Sequence, residues 1–116
     1  MTQKPEILLP WKAVDSGSAE QKTLAAELGR ELPVGHLLQG HKLNVIARRL
    51  DRDDILVSVE TLKKSFAMAH LTWRNTQELD PRLPRTQFFS SWGDWTEREM
   101  MPVHILHASL TEKAKS

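Results

Sequence analysis

The chain has 116 residues, and its 16 Lys and Arg against 15 Asp and Glu give a formal net charge of +1. This length suits one small domain with a core of its own, so we expect residues 1–116 to form a single domain. The balanced charge gives no overall attraction to nucleic acid or to an anionic membrane. Cysteine is absent, which excludes disulfides and thiolate metal sites.

The distribution of apolar residues argues against a membrane protein. No apolar run approaches the ~20 residues that a membrane-spanning helix needs. The opening residues, MTQKPEILLP, lack the apolar stretch of a secretory signal peptide. We therefore expect a cytoplasmic protein.

Residues 1–15 are predicted to form an irregular arm. Pro5 and Pro10 interrupt any helix there, because proline lacks an amide donor and clashes with the preceding helical turn. The arm also carries apolar side chains that should fix it to the body of the domain: Ile7, Leu8, Leu9 and Trp11.

A helix is predicted to follow the arm. Ser16 or Ser18 suits the N-cap position, where a hydroxyl accepts a hydrogen bond from a free backbone amide. Pro33 marks the end of the helix. Between these limits, leucines recur every four residues and form one apolar stripe: Leu24, Leu28 and Leu32.

The central part of the sequence predicts a sheet. Alternating apolar residues predict strands over 43–50 and 55–60, and a third strand runs over 65–73. The connections are too short for a crossover, so the strands should form an antiparallel meander. Residues 74–86 contain two prolines and are predicted as a surface loop, and 87–89 as a short fourth strand.

A second helix is predicted near the C-terminus. Ser90 or Ser91 is its N-cap, and Pro102 should end or kink it. Residues 112–116 are polar and are expected to be a mobile tail. The predicted fold is therefore α+β, an antiparallel meander of three or four strands with an N-terminal and a C-terminal helix.

The third strand is apolar on both faces, which raises the question of what covers each face. One face carries Phe66, Met68, His70 and Thr72, and the other carries Ala67, Ala69, Leu71 and Trp73. If both helices pack on one side of the sheet, the other face needs cover from elsewhere. We therefore predict a homodimer. The alternative is a monomer whose helices are split between the two faces.

His70 is the candidate catalytic residue, because imidazole titrates near neutral pH and can act as a general base. The fold would have to bring helpers to it, and the candidates are Asp53 or Asp54, and Arg48 or Glu97. A half-buried structural histidine is the competing interpretation, since no Ser or Cys nucleophile signature accompanies His70.

The tryptophans suggest a different function. The chain has four Trp and no Tyr, and tryptophan is enriched where proteins pack or bind. The first prediction is therefore a small dimeric binding protein, an immunity-like or accessory factor, for a partner protein or a small ligand. Its predicted contact residues are His70, Trp73, Arg48, Trp92 and Trp95. The second prediction is an enzyme of unknown class that uses His70 as its base.

Two metal-site patterns are weak. His104 and His107 have the spacing of a zinc pair, but they need further ligands, for which His36 and His41 are the candidates. The cluster of Asp51, Asp53 and Asp54 imitates the start of a calcium loop but lacks its glycine and its distal glutamate. We therefore predict no metal and no cofactor.

Nucleic-acid binding is also disfavoured. Basic residues are frequent between Arg48 and Arg85, and Trp73 beside Arg74 could stack on a base. A meander scatters these charges over both ends of the sheet, however, and draws no basic stripe.

Several phrases of the sequence resemble a group of small uncharacterised bacterial proteins. The phrases are IARRLDRDDIL, AHLTW and TQFFSSWGDW, followed by MM, and they lie between residues 45 and 101. The resemblance covers about half of the chain, and its most specific part is His70–Trp73. It implies a single α+β domain and a prokaryotic origin, and it implies no activity and no catalytic residue.

Overall fold

A computed structural model of the chain describes residues 7–33, 35–36, 38–60, 65–73 and 83–115, with only the backbone described for residues 65 and 111–115. Five strands form one antiparallel sheet in the order β1-β2-β3-β4-β5. The elements are β1 (Trp11–Ala13), α1 (Ala19–Glu31), β2 (Leu43–Arg49), β3 (Asp54–Val59), β4 (Ser65–His70), β5 (Thr86–Phe89), α2 (Trp92–Trp95), a π-helical stretch (Thr96–Met100) and α3 (Met101–Lys115).

The predicted α+β fold with an antiparallel meander and two terminal helices is confirmed, with one strand more than predicted. The additional strand is β1, which lies in the arm and pairs with β2 through Trp11 and Arg49. Trp11 is fully buried, whereas Leu9 is 53% exposed, so Leu9 does not fix the arm to the body. Strand β1 could not be recognised in the sequence, because three residues are too few to show an alternation of apolar and polar side chains.

Helix α1 begins where the sequence predicted. The Ser18 hydroxyl accepts a hydrogen bond from the Gln21 amide at 3.1 Å, so Ser18 and not Ser16 is the N-cap. Leu24 and Leu28 are each 2% exposed and pack against the sheet. The predicted apolar stripe is therefore the face that joins α1 to the core.

The two terminal helices lie on opposite faces of the sheet. One apolar cluster combines α1 with side chains such as Ile55, Val57 and Ala69, and the other combines α2 and α3 with Leu56, Phe66 and similar residues. Both faces of β4 are therefore covered by this chain itself. The prediction that β4 is apolar on both sides agrees with this arrangement, but an uncovered sheet face no longer argues for a dimer.

Aromatic rings fasten the C-terminal helices to the sheet. The ring centroids of Trp11 and Trp95 are 5.1 Å apart in an edge-to-face arrangement, and Trp92 lies 5.1 Å from Trp95. Phe66 of β4 meets Trp92 at 5.8 Å, also edge to face. Such pairs add to the apolar burial that holds the segment in place.

The C-terminal helix continues through Pro102, so of the two predicted outcomes, an end or a kink, the structure excludes the end. The Met101 amide bonds to the Thr96 carbonyl, five residues earlier, so the helix widens to π geometry directly before the proline. Proline supplies no amide donor, and a local change of hydrogen-bond register is one way for a helix to continue through it. Helix α3 then runs to Lys115, so the predicted tail of residues 112–116 begins within it.

Some predictions fall on parts of the chain that the structure does not describe. These are the start of the arm over 1–6, the turn over 61–64 and most of the loop over 74–86. Within the described residues, no helix has both the length and the apolarity needed to cross a membrane.

Candidate functional site

Three side chains from adjacent strands form a row at one end of the sheet. Asp54, the first residue of β3, pairs with His70, the last residue of β4. Across β4, Ala69 pairs with Thr86, and the Arg85 carbonyl accepts the His70 amide at 2.9 Å. Side chains of directly paired residues project to the same face, ~5 Å apart. The row therefore sets an imidazole between a carboxylate and a guanidinium.

The imidazole and the carboxylate are hydrogen-bonded. His70 Nδ1 lies 2.8 Å from Asp54 Oδ1. An ionised carboxylate only accepts, so Nδ1 carries the proton and donates it to this bond. The neutral ring then has its lone pair on Nε2, for which the described residues offer no hydrogen-bond partner. This arrangement of an oriented imidazole with a free second nitrogen is the one that general bases use.

The backbone around Arg85 is anchored by a buried histidine. His36 Nδ1 accepts the Leu38 amide at 3.0 Å, so its Nε2 carries the proton and donates to the Pro84 carbonyl at 2.8 Å. The Thr86 hydroxyl donates to the same carbonyl at 3.0 Å. His36 is therefore a structural residue that fixes the chain on both sides of Arg85.

An open groove of about 580 Å³ lies over this row. That volume is in the range of small-molecule sites. The His70 side chain is 49% exposed in the groove, whereas that of Asp54 is only 10% exposed. Asp54 therefore acts on a ligand through the imidazole and not by direct contact. The described residues that line the groove are Arg52, Asp54, Met68, His70, Arg85, Thr86 and Gln87.

A second carboxylate, Glu99 of the π-helical stretch, interacts electrostatically with residues of the groove without being part of its lining. Glu99 lies 3.8 Å from Arg49, which also binds Asp51 at 2.6 Å. Burial raises the pKa of Glu99, and Asp54 adds to this effect, while Arg49 and Arg52 oppose it. Glu99 is thus close enough to both Asp54 and Arg52 to feel their charges.

The chain beyond β4 is held by a buried carboxylate from the opposite face. Glu31, at the end of α1, accepts the amides of Thr72 and Trp73 at 2.8 and 3.0 Å. Burial raises the pKa of Glu31, and a hydrogen bond with Glu27 raises it further, against the lowering effect of the two amides. Trp73 has a positive φ of 57°, and these bonds hold its backbone in that conformation. Glu31 therefore fixes the backbone directly after β4, whose last residue is His70.

The other residues predicted to bind a ligand lie outside the groove. Arg48 pairs with Glu20 at 3.2 Å. Trp73 is 38% exposed, and its indole donates to Asp53 at 3.2 Å. Trp95 is fully buried among the rings described above and offers no surface to a ligand. The structure thus separates His70 from the tryptophans with which the sequence grouped it.

Trp92 and Glu97 complete the set of predicted residues. Trp92 is partly buried against the core between Phe66 and Trp95. Glu97 is exposed on the π-helical stretch. Of the four candidate helpers of His70, the structure brings Asp54 to its ring nitrogen, and it directs Asp53 to Trp73 instead.

The predicted metal patterns do not converge. Asp51, Asp53 and Asp54 bind three different partners, namely Arg49, the Trp73 indole and His70. Within the described part of the chain, no three His, Asp or Glu side chains come together as metal ligands. His104 instead has its Nδ1 2.6 Å from the carbonyl of Leu9.

Sequence reasoning missed most of the groove. Arg85, Thr86 and Gln87 belong to a segment that was assigned mainly to a loop. The signal that could have found Arg85 is its place just before the short fourth strand. If that strand pairs antiparallel with the third, its start must lie at the end where His70 lies.

Comparisons of the chain with protein-family models, with curated proteins and with solved structures gave no match.

Proposed function

We propose that this protein is a small enzyme that performs acid–base chemistry in the groove, with His70 as the base. The observation that carries the proposal is the 2.8 Å bond between His70 Nδ1 and Asp54 Oδ1, in a side chain that is half exposed. A structural histidine would be sealed with both nitrogens satisfied, as His36 is.

Each residue of the pair has a distinct role in this proposal. Nε2 of His70 takes a proton from a bound substrate, and the resulting imidazolium is stabilised by the adjacent negative charge of Asp54. Asp54 also holds the ring in one orientation and one tautomer. Asp54 is a positioning residue, because its side chain has little surface in the groove.

A non-enzymatic binding role, for a small ligand or a partner protein, was the first prediction from the sequence and becomes the second candidate here. It would use the same groove and leave the pair of His70 and Asp54 as a recognition element. Turnover that depends on His70 separates the two roles.

Hydrolysis of para-nitrophenyl acetate tests whether Nε2 of His70 is a free and reactive nitrogen, without knowledge of the substrate. Nε2 attacks the ester carbonyl, para-nitrophenolate leaves, and water then releases acetate from the acetylated ring. We expect His70→Gln to lower the protein-catalysed rate by about 100-fold. His41→Gln is the control, since His41 lies at the far end of β2 from the groove. If both variants keep the rate of the wild-type protein, or if the wild-type rate does not exceed that of free imidazole, the enzymatic proposal fails.

The predicted homodimer is proposed to form through α3. Ile105, Leu106 and Leu110 are each about 60% exposed on this helix. Residues 101–110 contain no Asp, Glu, Lys or Arg, so two copies of α3 can pair antiparallel without repulsion between like charges. None of the described residues that line the groove belongs to α3.

A further inference from the structure

The surface that the groove presents to a ligand carries more positive than negative charge. Arg52 and Arg85 are exposed and carry two positive charges. The one carboxylate in the lining, Asp54, is 10% exposed and is engaged with His70. A ligand that enters the groove therefore meets two guanidinium groups and a largely shielded carboxylate.

The two arginines also differ from the other arginines near the site. Arg48 and Arg49 have ion pairs with Glu20 and Asp51 at 3.2 and 2.6 Å. No described residue forms an ion pair with Arg85, and Arg52 interacts with Glu99 only at longer range. Of the two arginines that line the groove, Arg85 is therefore the one whose positive charge is less neutralised by nearby described carboxylates.

We infer that the groove binds a small ligand through a carboxylate or phosphoryl oxyanion, held by Arg85 with support from Arg52. The inference rests on the proposed function, since it names the substrate class of the same site. A guanidinium presents a planar fork of donors that matches such oxyanions. The place of Arg85 directly across from His70 puts the anion beside the reacting nitrogen.

The rest of the lining fits a small organic anion. Met68 and Gln87 lie opposite each other on β4 and β5, two residues along the sheet from the His70 row. They offer an apolar surface and an amide to the remainder of the ligand. The volume of about 580 Å³ accommodates one small molecule.

Titrations with inorganic phosphate and with acetate, followed by backbone amide shifts in nuclear magnetic resonance spectra, test this inference. We expect saturable shifts around residues 52, 70 and 85–87 with at least one of the two anions. Arg85→Gln should weaken binding by about tenfold, because it removes a charge-assisted contact. Arg52→Gln should weaken it less, since Glu99 already compensates Arg52 in part.

Lys22→Gln is the matched control, because it also removes one exposed positive charge but lies on α1, on the other face of the sheet. Unchanged binding in Arg85→Gln, or the absence of shifts at the groove with both anions, would overturn the inference. His70→Gln should keep most of the anion affinity. Loss of ester hydrolysis together with retained anion binding in that variant supports both proposals, whereas His70-dependent hydrolysis without anion binding refutes this inference alone.

Discussion

The chemistry proposed for His70 depends on a single hydrogen bond from its Nδ1 to Asp54. The sequence supplied two equivalent candidates for this carboxylate, Asp53 and Asp54. The strand register decides between them, because successive side chains project to opposite faces and a slip of one residue would exchange the two. No local pattern in DRDD encodes that register, so the residue type was predictable and the individual residue was not.

We predict that Asp54→Asn lowers ester hydrolysis by about tenfold or more, because the amide cannot stabilise the imidazolium and can also reverse the tautomer of the ring. Asp53→Asn should leave the rate unchanged, since Asp53 binds the Trp73 indole. Circular dichroism checks that both variants are folded. Equal loss of rate in the two variants would show that the pairing of Asp54 with His70 has no special part in the reaction.

At the scale of elements, helices and strands with a clear period were predicted well. Helix α1 follows its leucine stripe, and its boundaries agree with the prediction to within a residue or two. The arm strand β1 was not predictable, and for Pro102 the sequence left open whether the helix ends or continues with a kink. Strand β1 depends on its pairing with β2, and the helix continues through Pro102 by a local shift to π geometry.

The N-cap of α1 gives a direct test at this scale. We expect Ser18→Ala to lower the free energy of unfolding by about 1 kcal/mol, because the Gln21 amide loses its acceptor. Ser16→Ala is the control, as Ser16 is exposed and lies outside the helix. Urea denaturation measures both changes. A larger loss of stability in Ser16→Ala than in Ser18→Ala would contradict the assignment of Ser18 as the N-cap.

The burial of Glu31 and its hydrogen bond with Glu27 make stability depend on pH. The pKa of Glu31 in the folded protein lies above its ordinary value of 4.5. Its contribution to stability is therefore complete below that value and is lost as the pH rises through the raised pKa. We expect Glu27→Gln to reduce this loss between about pH 5 and about pH 7.5, because a neutral amide no longer opposes ionisation of Glu31.

Urea denaturation at the two pH values measures the effect. Glu97→Gln serves as the control because Glu97 is exposed and lies on the π-helical stretch. An identical change with pH in the wild-type protein and in Glu27→Gln would mean that the two carboxyl groups are not coupled.

At the scale of the whole molecule, the sequence predicted the fold class and the buried nature of β4. It did not predict which helix covers which face of the sheet. An apolar stripe indicates which side of a helix is buried, but it does not indicate the face of the sheet on which the helix packs. The two faces are now covered by α1 and by the C-terminal helices. Among the described residues, most of the large apolar side chains that stay exposed lie on α3, and the others are Leu9, Leu50 and Trp73.

We predict a homodimer that Leu106→Glu converts to a monomer, because the charge would be buried in an antiparallel pair of α3 helices. Leu50→Glu is the matched control, since Leu50 is 55% exposed but lies in the turn between β2 and β3. Sedimentation velocity distinguishes the states. A wild-type protein that stays monomeric at high concentration contradicts the dimer.

The tautomer of the His70 ring tests the central claim most directly. Long-range proton–nitrogen correlation spectra of the nitrogen-labelled protein show which ring nitrogen carries the proton in the neutral form. The hydrogen bond to Asp54 predicts a proton on Nδ1 and a bare Nε2, and loss of this preference in Asp54→Ala. A proton on Nε2 in the wild-type protein would contradict the account, since His70 would then have no free nitrogen in the groove to act as a base.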